Sequence, residues 1–157
     1  EITLTNEELN YINGYIKNID SENGINTEKL TSAGTQTLNG TQAAAYCRIR
    51  YTEGSDYKRS ERQRDVLEAL FNKFKNSSLT ELISVMDDIL PLVTTNLTNS
   101  EIISIATTVL GMGTPSIEQS RFPLDGKSEM IATDMLHLTT DIDETTKDIH
   151  KFLYSLD

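Results

Sequence analysis

The chain has 157 residues, of which 37% are hydrophobic and 24% charged, with a formal net charge of −10. That length is one domain, large enough to bury a core without disulfides or metals, and the composition is that of a globular chain. The carboxylate surplus argues against a general nucleic-acid binder, which needs excess Lys and Arg. The single cysteine, Cys47, excludes an internal disulfide framework. No stretch approaches the roughly 18 apolar residues of a membrane helix, and there is no signal-peptide pattern. The first residue is Glu1, inside an already patterned segment, so the chain is expected to be a piece of a longer protein.

Thr5 or Asn6 ahead of Glu7 and Glu8 marks a helix start. Leu9, Ile12, Ile16 and Ile19 keep helical spacing up to a break at 21–24. Residues 35–38 read as a short strand closed by Asn39 and Gly40, and 41–46 as a short Ala-rich helix. The longest helix is expected over 56–75, ended by Asn76, Ser77 and Ser78. A further helix over 79–90 stops near Pro91, and another runs from Asn99 or Ser100 to about Leu110, ahead of a breaker at 111–115. Residues 116–123 and 128–136 look like strands around an Asp125-Gly126 turn. Residues 141–154 form a last helix, its start complemented by Asp141, Asp143 and Glu144. Helices mixed with a few strands predict an α/β layer fold in which a mixed sheet is flanked by helices in a three-layer-like arrangement.

Charge is unevenly spread. Five of the six arginines fall between Arg48 and Arg64, so residues 46–64 carry a net +3 and the remainder −13. An arginine cluster in an acidic chain points to a small, local anion site. At about 100° per residue, Val66, Leu67, Leu70 and Phe74 form the apolar stripe of the long helix. Asp56, Arg59 and Gln63 lie inside that stripe, and Arg62 at its edge. A buried guanidinium is costly unless paired. Two readings stand side by side. Asp56 and Arg59, at i and i+3, form an ion pair that only ties the helix start. Alternatively they belong to a concave anion site at a helix N-terminus, where free N–H groups favour negative charge. If 46–51 is extended, Arg48 and Arg50 share one face. Several arginine forks at one spot suit a pyrophosphate better than a monocarboxylate.

Two blocks of sequence carry a family resemblance. The run from Leu38 to Arg50, Leu-Asn-Gly-Thr-Gln-Ala-Ala-Ala-Tyr-Cys-Arg-Ile-Arg, is similar to a stretch of the LytR-CpsA-Psr family. So is Asp56 to Arg64, Asp-Tyr-Lys-Arg-Ser-Glu-Arg-Gln-Arg, in the right order and at the right separation. Looser similarity covers Leu4 to Ile16 and Arg121 to Gly126. The resemblance implies that residues 1–157 are the C-terminal portion of a single catalytic domain. That domain is expected outside the cell, anchored to the membrane by one N-terminal helix. It would move a glycopolymer (wall teichoic acid, capsule or a related polymer) from a polyprenyl-pyrophosphate carrier to peptidoglycan. Arg48, Arg50, Arg59 and Gln63 inherit pyrophosphate binding by match, with Arg62 in support. Asp56 and Arg59 stand as the catalytic pair, Asp56 orienting arginines or assisting proton movement at the acceptor hydroxyl. Magnesium is the expected cofactor, its ligands lying in the preceding half and none in this piece. The piece alone is expected to be inactive. Arg64 departs from the glutamine of the family pattern, at a position expected outside.

Other classes are a transcriptional attenuator, the family's historical label, and a non-catalytic interaction module. The first needs a basic recognition surface that the net charge opposes; the second is opposed by the full arginine set. Cys47 reads as a small core residue, and His137 and His150 as surface or boundary residues without metal-ligand spacing.

Overall fold

The computed structural model describes residues 1–53, 55–75, 77–112, 116–132 and 136–154. The chain divides into two compact units, residues 1–116 and 117–157. Helices and strands are mixed, as expected for an α/β chain: six α-helices and two separate two-stranded antiparallel sheets occur among the described residues.

In the first unit, β1 (Ile2–Leu4) leads into α1 (Asn6–Asn23). Thr5 caps α1: its hydroxyl accepts the Glu8 N–H at 3.1 Å, and the Glu8 carboxylate accepts the Thr5 N–H at 2.9 Å. This reciprocal box satisfies two donors that a helix start otherwise leaves unpaired. The break expected at 21–24 is later than its first residue suggests, because α1 continues to Asn23 and stops at Gly24, whose φ of 66° favours glycine. The strand expected at 35–38 is β2 (Gly34–Gln36), paired with β1 through Ile2–Gln36 and Leu4–Gly34. Three-residue β1 gave no periodic signal of its own.

α2 (Gly40–Arg48) begins at a second capping box, Asn39 with Gln42, and runs through Ala43, Ala44 and Ala45 to Arg48. Residues 46–48 are therefore helical, and the extended 46–51 segment with Arg48 and Arg50 on one face does not exist. Ala-rich sequence carries the helix on, and the chain turns extended only at Ile49, which is fully buried. α3 (Ser55–Phe74) is the long helix expected; α4 (Leu79–Ile89), a 3-10 turn at Leu90–Leu92 and α5 (Asn99–Gly111) follow. Asn76 and 113–115, placed by the sequence in chain breaks, lie outside the described residues.

The core joins β1, α1 and α2: Leu4, Ile12, Ile16, Ile19, Ala45, Tyr46 and Ile49, with Val66 and Ala69 of α3 packed on it. Each fully buried Leu or Ile contributes roughly 1.5–3 kcal/mol. The helical pattern of Ile12, Ile16 and Ile19 thus anchors this unit.

In the second unit, β3 (Ser128–Ala132) pairs with β4 (Leu136–Thr140), ahead of α6 (Ile142–Tyr154). The expected strand at 116–123 is absent. β4 supplies the partner of β3, and the Asp125-Gly126 turn (Gly126 φ 78°) leads into β3 rather than joining two strands. Residues 133–135, the end of the expected 128–136 strand, lie outside the described set. Lys127 ties the hairpin to α6 through Asp148 at 2.8 Å and Glu144 at 3.0 Å, and Phe122 packs edge-on against Phe152. Asp141 caps α6 by accepting the Glu144 N–H at 2.9 Å, as its position suggested.

Candidate functional site: an arginine pair on one carboxylate

The site is built from the segment after α2 and the first turns of α3. Arg50 follows the helix-ending Ile49 and reaches forward to Asp56 in the first turn of α3. Its Nε donates to Asp56 Oδ1 at 3.1 Å and its Nη2 to Oδ2 at 3.3 Å, a two-pronged contact suited to the guanidinium fork. Arg59, one turn further along α3, places Nη1 3.3 Å from the same Oδ1. One carboxylate therefore gathers two guanidiniums from two elements. All three side chains are open to solvent, Arg59 the least at 34%.

Arg48 is not part of this group. From the last turn of α2 it pairs with Glu22 near the end of α1, at 3.3 Å. Gln63 is exposed and Lys58 pairs with Glu61 at 2.8 Å.

The helical wheel had placed Arg59 and Gln63 inside the apolar stripe and Arg62 at its edge. The structure reverses this: Arg62 is 3% exposed, while Leu67 and Leu70 are exposed. The buried face of α3 runs through Arg62, Val66 and Ala69, spaced i, i+4 and i+7, rather than through Leu67, Leu70 and Phe74. Counting bulky apolar residues drew the stripe toward the leucines; small Ala69 and charged Arg62 define the true contact.

Arg62 is held by three acceptors. Nε donates to Glu8 Oε1 at 2.6 Å, Nη1 to the Ile49 carbonyl at 3.1 Å and Nη2 to Thr52 Oγ1 at 2.5 Å. Its guanidinium also lies over the Tyr46 ring, 5.9 Å from the centroid. Burial, then the Glu8 carboxylate, push the Tyr46 hydroxyl far above the usual phenol range. A cleft of about 370 Å³ lies beside this network, lined in part by Glu7, Glu8, Thr52, Lys58 and Arg62. Further along α3, a groove of about 550 Å³ is lined in part by Ile2, Leu38, Ala43, Val66, Ala69 and Leu70.

Glu8 and Thr52 escaped the sequence reading. The local capping signal of Thr5 and Glu8 was legible, but the second oxygen of Glu8 pairs with a residue 54 positions away. Cys47 is only half-buried; burial and then Asp65 raise its thiol, leaving it poorly ionised. The His150 ring is exposed and sits edge-on to Tyr154, while the side chain of His137 lies outside the described set.

No group of three His, Cys, Asp or Glu side chains among the described residues is arranged to hold a metal ion. Asp56 is already engaged by two guanidiniums. These residues do not fit a magnesium site.

Two arginines are thus assembled around one carboxylate at the start of the long helix of a mixed α/β chain. Residues 5–151 match the family model described as the LytR_cpsA_psr family, and the chain belongs to that family. An uncharacterized protein of Staphylococcus aureus (strain NCTC 8325 / PS 47) is 36% identical over 99 residues. That alignment covers 62% of this chain and 24% of the relative, so the chain matches about a quarter of that protein's length.

Proposed function

We propose that this chain carries the pyrophosphate-holding part of a cell-wall glycopolymer transferase. In this reading the protein moves a glycopolymer from a polyprenyl-pyrophosphate carrier onto peptidoglycan, outside a membrane to which the longer protein is anchored. The observation that carries it is the convergence of Arg50 and Arg59 on Asp56. Two guanidiniums already assembled around one anion are prepared to bind phosphate oxygens, which are acceptors of the same kind.

The proposed step is a phosphoryl transfer. An acceptor hydroxyl attacks the phosphorus bonded to the polymer. The bridging P–O bond breaks, its electron pair leaves with polyprenyl phosphate, and a phosphodiester joins polymer to wall. Arg50 and Arg59 neutralise charge that builds on the phosphates. In this reading Asp56 holds the two arginines in register and accepts the hydroxyl proton. Arg48 and Gln63 would join from the flanks, and Arg62 supports from behind. The apolar groove along α3 suits the start of an isoprenoid chain. Its lining reaches Ala69, ten residues past Arg59, about 15 Å along a helix axis. Magnesium would be held by other residues of the longer protein, and no step here passes through it. Among the described residues no helix is long and apolar enough to cross a membrane.

The test is binding of a short-chain polyprenyl pyrophosphate to the full-length protein and to its Arg59→Ala variant, with duplex DNA as control. Losing one charged hydrogen-bonding partner should cost about 1.5–3 kcal/mol, on the order of ten-fold or more in affinity. Equal binding by both proteins, or binding to DNA instead, would overturn the assignment.

A further inference from the structure

Arg50 sits between α2, which ends at Arg48, and α3, which begins at Ser55, and residues 49–53 form neither helix nor strand. Arg59 needs no special support, because α3 fixes it. Arg50 must be held by something else, and the structure supplies it on both sides. Arg62 donates to the carbonyl of Ile49, the residue before Arg50, and to the hydroxyl of Thr52, two residues after it. Ile49 and Thr52 are both buried. Glu8 in turn fixes Arg62. Oε1 takes Arg62 Nε at 2.6 Å, while Oε2 takes the N–H and hydroxyl of Thr5 at the start of α1. The neighbouring Glu7 accepts the Glu53 N–H at 3.1 Å, so α1 touches the same segment again.

We infer that Glu8, acting through Arg62 and Thr52, is a positioning residue that sets Arg50 against the anion shared with Arg59. The path is continuous: α1 start, Glu8, Arg62, the 49–52 segment, Arg50, Asp56. A single lysine in place of Arg62 could not reproduce it, since three acceptors in three directions need the planar fork. The inference rests on the pyrophosphate reading for its functional consequence, but the positional claim can be read separately.

The experiment uses the full-length protein with Thr52→Val, which keeps the shape of the side chain and removes one acceptor of the clamp. Two readouts are taken. The first is the rate at which phenylglyoxal modifies each arginine, followed by peptide mass spectrometry. Arg50 should react faster than in the parent, while Arg48, held by Glu22, should not change. The second is affinity for a short-chain polyprenyl pyrophosphate, with and without Arg50→Ala. Thr52→Val should weaken binding by about ten-fold when Arg50 is present and have almost no effect once Arg50 is gone, because coupled residues are not additive. An unchanged Arg50 rate, or an equal loss of affinity in both backgrounds, would overturn the positioning role. Faster modification of Arg50 in a protein whose parent form binds no pyrophosphate would leave the clamp standing and remove the proposed function instead. Glu8→Gln, which keeps one acceptor oxygen and puts an amide donor in place of the other, so that the cap and Arg62 can no longer both be satisfied, provides the same comparison if Thr52→Val does not fold; it should show the loss in the same pattern.

Discussion

Replacing Arg62 by methionine separates the stability of the site from its chemistry. The side chain is 3% exposed, and its removal leaves the Glu8 carboxylate, itself 7% exposed, without its cation. The Thr52 hydroxyl and the Ile49 carbonyl also lose a donor. Breaking a buried ion pair from one side costs about 3–5 kcal/mol, because a charge stays buried and uncompensated. Set against a total stability of about 5–15 kcal/mol, that is a large fraction. For a chain of this size it corresponds to a melting point lower by about 6–20 °C. Arg59→Ala removes an arginine of the same helix from an exposed partner and should cost no more than about 1 kcal/mol. Methionine regains part of the loss by burying apolar surface, so the double variant Glu8→Leu with Arg62→Met should be more stable than Arg62→Met alone. Thermal and urea unfolding followed by circular dichroism measure all three. Equal shifts for Arg62→Met and Arg59→Ala, or a double variant as unstable as the sum of its parts, would refute the argument.

Burial, and then Glu61, raise the Asp65 carboxyl above the usual aspartate range. The folded chain holds that proton more tightly than the unfolded one, so the contribution favours folding in acid and is lost as pH rises through the raised value. Asp65→Asn should therefore stabilise the protein at about pH 7 and lose its advantage toward about pH 4, seen in urea midpoints across that range. At α4, the Ser78 N–H and then its hydroxyl lower the Glu81 carboxyl, so the contribution of this box is present above the glutamate range and fades as pH falls through the lowered value. Ser78→Ala should remove about 1 kcal/mol of local helix stability, visible as faster amide exchange in the first turn of α4. In the second unit, hydrogen bonds to Asp148 and then Glu144 raise Lys127, whose contribution is complete below the lysine range and lost as pH rises through the raised value. Lys127→Met should speed amide exchange in α6, and an unchanged rate there would show that the hairpin is held to α6 by other contacts.

Local signals were legible where the physics is local. The isoleucine spacing of α1, its start beside Thr5 and the length of α3 follow from interactions within a few residues, and each appears where its pattern lies; the cap expected at Asn99 or Ser100 is instead Thr98, whose hydroxyl accepts the Glu101 N–H. Errors arose where a distant partner decided. Residues 46–48 alternate like a strand, yet the Asn39–Gln42 cap and three alanines carry the helix through them. Residues 116–123 read as a strand beside the Asp125-Gly126 turn, but β3 has β4 as its neighbour, and a short segment without a partner strand stays irregular. At the site, Asp56 and Arg59 were legible because their contact spans one helical turn. Arg50 reaches the same carboxylate from outside the helix, and Glu8 reaches Arg62 across 54 positions, a contact that no spacing rule encodes.

Arg59 and Arg62 lie one turn apart on α3 and have opposite roles. Arg59 faces solvent beside an exposed carboxylate, so its charge is available to a new anion and contributes little to the fold. Arg62 faces the interior with three fixed acceptors, so its guanidinium is committed to the protein's own groups. The two functions need each other. A solvent-facing pair of arginines repels itself and drifts unless the backbone carrying each is held. α3 carries Arg59; the buried Arg62 holds the segment that carries Arg50. The spacing Arg-Ser-Glu-Arg thus places an accessible arginine and a buried one on neighbouring faces of one helix, and the rotation of that helix decides which arginine is which.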